Sequence, residues 1–128
     1  MRVLRAENYR RMPWKNGGGE TAEIAVSPDD AGLDDFDWRV SMARVERGGP
    51  FSAFPDVDRT LSILEGEGML LDVEGRERVT LTGASAPYSF PADAITNAEL
   101  VGGPITDLNV MTRRGRYRHE VGVHDVEG

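Results

Sequence analysis

Apolar and polar residues alternate along this chain in short runs, and no stretch sustains a helical period across three turns. The clearest alternation covers 38–45, where Trp38, Val40 and Met42 share one face of an extended segment and Arg39, Ser41 and Ala43 share the other. A second covers 105–112, with Asp107, Asn109 and Met111 opposite Leu108 and Val110. Similar patterns predict strands at 21–26, 60–64, 69–73, 78–81, 86–90 and 95–101. Glu65-Gly66-Glu67-Gly68 and Glu74-Gly75 read as hairpin turns, and Gly17-Gly18-Gly19 reads as a tight turn entering the first strand. About eight short antiparallel strands, cut apart by fifteen glycines and seven prolines, predict an all-β jelly-roll barrel. The segment 27–37 is acidic and polar and is expected to be an exposed loop, and residues 112–128 a polar C-terminal extension that frays.

Composition narrows this picture. A chain of 128 residues is one domain's worth and buries enough surface to stand without a disulfide or metal staple. It has no cysteine, which removes disulfides, thiolate nucleophiles, zinc ribbons and iron–sulfur sites together and fits a reducing cytoplasm. The first eight residues lack the apolar core of a secretory signal. No apolar run approaches the roughly 18 residues of a membrane helix, so a cytoplasmic protein without membrane association is expected. The net charge of −7, from 15 basic and 22 acidic side chains, argues against a general nucleic-acid binder. An anionic small molecule is still compatible with a locally positive pocket. Every basic residue except Lys15 is arginine, a side chain suited to bidentate carboxylate recognition.

Several chemistries are disfavoured by position. A metal-binding jelly roll uses inward histidines with a carboxylate, but the two histidines here, His119 and His124, lie in the C-terminal tail. The stretch from Gly48 to Arg59 holds Pro55 and Val57 where histidines would stand, so a histidine-based metal centre is excluded on composition. A carboxylate-only site at Asp56 and Asp58 stands beside the plainer reading of an acidic turn before a strand. No histidine is placed to activate a serine, and the glycines at 17–19 lack the lysine and spacing of a phosphate loop. The basic cluster Arg113-Arg114-Gly115-Arg116-Tyr117-Arg118-His119 reads as a solvated segment or as a contact for RNA or acidic partners. The acids at 29, 30, 34, 35 and 37 lack calcium-loop spacing.

One constellation carries more information. Arg39 and Ser41 share a strand face, Asp107 and Asn109 share another, and Arg59 opens a third strand. Such faces look either to solvent or into a barrel with a wet pocket, and alternation alone leaves both open.

Five segments together resemble the HutD/Ves family. They are Met12-Pro13-Trp14-Lys15-Asn16-Gly17-Gly18-Gly19 with Thr21, then Trp38-Arg39-Val40-Ser41-Met42-Ala43, then Gly49-Pro50-Phe51-Ser52 with Asp58-Arg59. Leu64-Glu65-Gly66 and Gly103-Pro104 with Asp107, Asn109 and Met111 complete the set, spanning residues 12 to about 114 in order. The resemblance implies a cupin-type fold, usually as two cupin units in longer chains. It also implies a regulatory role in histidine utilisation, through an intermediate such as formylglutamate, or a stress-induced role, with no reaction attached. It raises the weight on Trp14, Lys15, Asn16, Arg39, Ser41, Phe51, Ser52, Arg59, Asp107 and Asn109, and it turns the polar faces inward.

Three functions follow as expectations. In the first, Arg39, Arg59 and Lys15 hold a small carboxylate by charge-assisted hydrogen bonds. Ser41, Asn109 and Asp107 orient its polar groups, Phe51 covers an apolar side, and Asn16 and Ser52 complete the ligand-binding set, with no metal and no cofactor. Against this stands a purely structural role, with Arg39–Asp107 and Arg59–Asp58 ion pairs fixing strand ends. The second is a metal-free isomerase or lyase with Asp107 as base. The third is a homodimer formed through a sheet face, without ligand.

Overall fold

The computed structural model describes residues 2–3, 10–14, 17–29, 31–33 and 35–115. Lys15, Asn16, Asp30, Asp34, both histidines and the tail from Arg116 onward lie outside the described residues.

Eleven strands make two antiparallel sheets, and no helix occurs among the described residues. In chain order they are β1 (Arg2–Val3), β2 (Arg10–Pro13), β3 (Gly19–Ser27), β4 (Trp38–Val45), β5 (Gly49–Pro50), β6 (Val57–Glu65), β7 (Met69–Val73), β8 (Val79–Leu81), β9 (Tyr88–Pro91), β10 (Thr96–Leu100) and β11 (Ile105–Arg113). The eight strands read from the sequence are all present, and β4 and β7 have the expected bounds. The extra strands β1, β2 and β5 are two to four residues long, too short to show an alternation.

The large sheet runs β1-β3-β4-β11-β6-β9, with β2 also paired to β3. The small sheet runs β5-β10-β7-β8. The chain crosses repeatedly between them, as a jelly roll requires. At the β6–β7 hairpin Gly66 holds φ +96°, where a side chain would be strained and would also run into Pro104 and Ile105. At the mouth of β3, Trp14 N–H donates to the Gly19 carbonyl at 2.8 Å. A Cβ on Gly19 would collide with the Arg44 carbonyl and press on the Trp14 ring, so the third glycine of the run serves close packing.

Two apolar clusters fill the space between the sheets. The larger contains Ala43, Val45, Leu61, Ile63, Met69, Leu71, Val73, Leu81, Phe90, Ala98 and Ile105. Leu61, Met69, Leu71 and Ile105 are fully enclosed, and each such side chain contributes about 1.5–3 kcal/mol by leaving water. The smaller cluster, at the other end of the strands, contains Val26, Ala31, Phe36, Val57, Ala92 and Met111, with Phe54 against it.

That second cluster corrects the reading of 27–37 as an exposed loop. Asp29 and Asp35 are exposed, but Ala31 and Phe36 turn inward, and Phe36 is fully buried. A polar average over eleven residues hides two apolar anchors. The described part of the basic cluster seals the same end. Arg113 donates to the Phe36 carbonyl at 2.7 Å and lies over the Phe36 ring, while Arg114 binds Asp58 at 2.9 Å and Asp93 at 3.0 Å. These two arginines staple loops to the end of the barrel, and Asp58 is engaged there.

Candidate functional site

Register decides which side chains meet between the sheets. Across β3, β4, β11, β6 and β9, one inward row reads Val26, Arg39, Met111, Arg59, Phe90. The next reads Glu23, Ser41, Asn109, Leu61, Tyr88, and the one beyond it Thr21, Ala43, Asp107, Ile63. The inner face of the large sheet therefore carries a polar layer between its two apolar ends. A bulge in β3 between Glu23 and Ala25 lets both Glu23 and Val26 face inward although they are three residues apart. A second irregularity, between Thr106 and Asp107, sets the β11–β6 register.

The polar layer is hydrogen-bonded. Arg39 and Glu23, 4 % exposed each, form an ion pair from Nε to Oε1 at 3.1 Å. Arg59 donates from Nε at 2.8 Å and from Nη2 at 2.6 Å to the same oxygen, Oδ1 of Asn109. Asn109 in turn donates from Nδ2 to Oδ1 of Asp107 at 2.7 Å. The Arg59 guanidinium lies over the Phe51 ring, 4.7 Å from its centroid, with Phe90 at 5.9 Å and Tyr88 stacked on Phe90. Ser41, Asp107 and Asn109 are each 2 % exposed, whereas Arg59 is half-buried.

Electrostatics follow from this enclosure. Burial pushes the Asp107 carboxyl up to about 6, although Arg59 and the Asn109 amide both pull it down. Burial likewise pushes Arg59 down to about 10, where Asp107 raises it and Arg39 lowers it further, so Arg59 stays cationic at neutral pH. No buried side-chain nitrogen or oxygen among the described residues lacks a partner. Arg39 is held through Nε by Glu23.

Arg39, Ser41, Arg59, Asp107, Asn109 and Phe51 are thus brought together. Ser52 is exposed on the connection after β5 and is not brought in: the last backbone bond to β10 there is from Phe51 N–H to the Thr96 carbonyl at 2.9 Å, and Ser52 lies beyond it. Trp14 packs on the large core, and its Nε1 donates at 2.8 Å to Oγ1 of Thr21, which stands in the same row as Asp107. Lys15 and Asn16 lie outside the described residues. The ion pairs expected from sequence are replaced: Arg39 pairs with Glu23 rather than Asp107, and Asp58 pairs with Arg114 rather than Arg59. Glu23 is absent from the sequence-derived set, although a single acid inside the apolar run Ala22–Val26 marks it. No group of three potential metal-ligating His, Cys, Asp or Glu side chains occurs among the described residues. A broad concavity on the outer side of the small sheet, lined by Arg47, Asp72, Asn97 and Glu99, shares no residue with this layer and is open to solvent.

A family model described as HutD matches residues 6–128. An uncharacterized 21.2 kDa protein in the hutC 3′ region of Pseudomonas putida is 42 % identical over 118 residues, covering 92 % of this chain and 61 % of its own length. Protein Ves of Citrobacter koseri is 41 % identical over 123 residues, covering 92 % and 62 %. HutD from Pseudomonas fluorescens SBW25, solved in a formate condition, superposes with TM-score 0.77 at 40 % identity, covering 87 % of this chain and 59 % of its own. The chain therefore spans about three fifths of the length of these relatives. A cupin domain of a transcriptional regulator from Enterobacter cloacae, TM-score 0.58 at 12 % identity, shares the fold.

Proposed function

The chain belongs to the HutD family, and from that premise we propose that it binds a small carboxylate between its sheets, such as a histidine-degradation intermediate like formylglutamate, and thereby tunes a metabolic or stress response. The carrying observation is the enclosed pair of arginines. Arg39 and Arg59 occupy one inward row on strands separated only by β11, so their Cα atoms are about 10 Å apart. Each is held by a neighbour, Glu23 or Asn109, that orients its guanidinium and leaves amino groups for a ligand. Such preorganised, partly desolvated cations recognise a carboxylate far better than surface arginines do. Phe51, Phe90 and Tyr88 supply an apolar wall beside Arg59.

Thermal shift against formate, acetate, glutarate and N-formylglutamate tests this reading. A carboxylate present at 100 times its Kd stabilises by about 2.7 kcal/mol. We expect a rise in melting temperature with at least one of the four, lost in Arg59→Ala. No response from the wild type to any of them would sink the proposal.

A second reading rests on a separate observation. Asp107, raised to about 6 in an enclosed layer, is tuned as a general base for a metal-free isomerase or lyase is tuned. Turnover of a bound carboxylate, abolished in Asp107→Asn while binding persists, would select it.

A further inference from the structure

We propose that Asp107 takes up a proton when a carboxylate enters the polar layer, so that ligand binding and protonation of this one side chain are a single linked event. The inference rests on the carboxylate-binding reading and deepens it.

The described residues place four charged groups in the layer, Glu23 from β3, Arg39 from β4, Arg59 from β6 and Asp107 from β11, beside the neutral phenol of Tyr88 from β9. Two are cationic and two anionic, so these described groups balance one another. The small sheet adds no charge, because its buried residues Met69, Leu71, Val73, Leu81, Thr96 and Ala98 are all non-ionisable. A carboxylate brought among them adds a negative charge near Asp107, and like charges close together in a low-dielectric interior are disfavoured strongly enough that a carboxyl takes up a proton instead.

Geometry selects the group. Glu23 is in direct contact with a cation, Arg39, at 3.1 Å, and giving up its charge would strand that arginine. Asp107 has no such contact. The Arg59 guanidinium directs two bonds to Asn109 Oδ1, and the groups that bond Asp107 are uncharged, the Asn109 amide and the Ala43 backbone N–H. Asp107 is thus the buried carboxylate separated from its nearest cation by an uncharged link. Its elevated affinity for protons in the free protein fits the same arrangement. On protonation it gains an O–H, and the Asp107–Asn109–Arg59 chain turns from holding an anion to offering donors. Arg59, released from countering Asp107, is left to the ligand.

The experiment is calorimetric titration of N-formylglutamate, with formate as a second probe, at pH 7 in buffers of equal pH and different ionisation enthalpy. The dependence of apparent heat on buffer gives protons taken up per ligand. We expect uptake approaching one proton, and affinity strengthening by up to about tenfold for each pH unit lowered between 8 and 6. Asp107→Asn should bind with no uptake and a flat pH profile, whereas Glu23→Gln should keep the uptake. Binding by the wild type without proton uptake, or uptake that survives in Asp107→Asn, overturns the linkage while leaving the carboxylate reading intact. Absence of binding at every pH overturns both.

Discussion

The two sheets face each other across the same interior with opposite chemistry. The small sheet presents Met69, Leu71, Val73, Leu81 and Ala98, with Thr96 as its one buried polar residue, its hydroxyl spent on the Ala94 carbonyl. The large sheet presents Glu23, Arg39, Ser41, Arg59, Asp107 and Asn109 to the same space. One sheet stabilises by leaving water, a non-directional effect proportional to area. The other sets hydrogen-bonded charges in place, and buried ion pairs seldom stabilise more than apolar side chains of equal volume. Apolar side chains of the same volume would fill this interior at least as stably.

The contrast is sharpest where partners are removed. Arg39→Met removes the buried cation beside Glu23 and should cost about 3–5 kcal/mol, whereas Arg39→Met combined with Glu23→Leu should recover most of that loss. Chemical denaturation of the three proteins checks it, and an additive double mutant would break the account. On the small sheet, Leu71→Ala should cost about 2–5 kcal/mol, with no pairing partner able to rescue it.

Titration separates the sheets in another way. Asp107 rises from 3.8 to about 6 in the folded chain because it is buried, against the opposing pull of Arg59 and Asn109. Stability linked to a raised carboxyl is complete below its unfolded value and is lost as pH climbs through the folded one. At about 1.4 kcal/mol per pH unit, charging Asp107 therefore costs about 3 kcal/mol above pH 6. Asp107→Asn should be more stable than wild type by up to that amount at pH 7, and the advantage should vanish below pH 4. Equal stability at pH 7 would show that the layer already accommodates the charge. A smaller effect comes from Trp14→Phe, which keeps the ring but loses the 2.8 Å bond to Thr21; about 1 kcal/mol is expected from thermal melts. Least of all, Asp72→Ala should leave the melting temperature unchanged, since the Arg78–Asp72 pair is about half exposed.

Much of the site was legible as pairs. Arg39 with Ser41 and Asp107 with Asn109 fall two apart, and period-2 geometry puts each pair on one face whatever the fold. Which face is inside is not in the period. Val40, Met42, Leu108 and Val110 are the apolar members of these strands, yet they take the outer side and are half-buried, while the charged members go in. Local hydrophobicity pointed the other way, and only the resemblance of five ordered segments reversed it. Phe36 and Glu23 were missed for a common reason: each is a single residue whose neighbours have the opposite character.

The sequence by itself determined the class of fold, through short alternations and glycine turns, because strand period and backbone freedom are local properties of a few residues. It also determined which chemistries are missing, because a chain without cysteine and with histidines only in its tail cannot supply those side chains elsewhere. The tertiary structure alone decided that Arg39 meets Glu23, that Arg59 reaches Asn109, and that Asp107 stands apart from both cations. Those meetings depend on register across β3, β4, β11 and β6, and a single bulge shifts register for every residue beyond it.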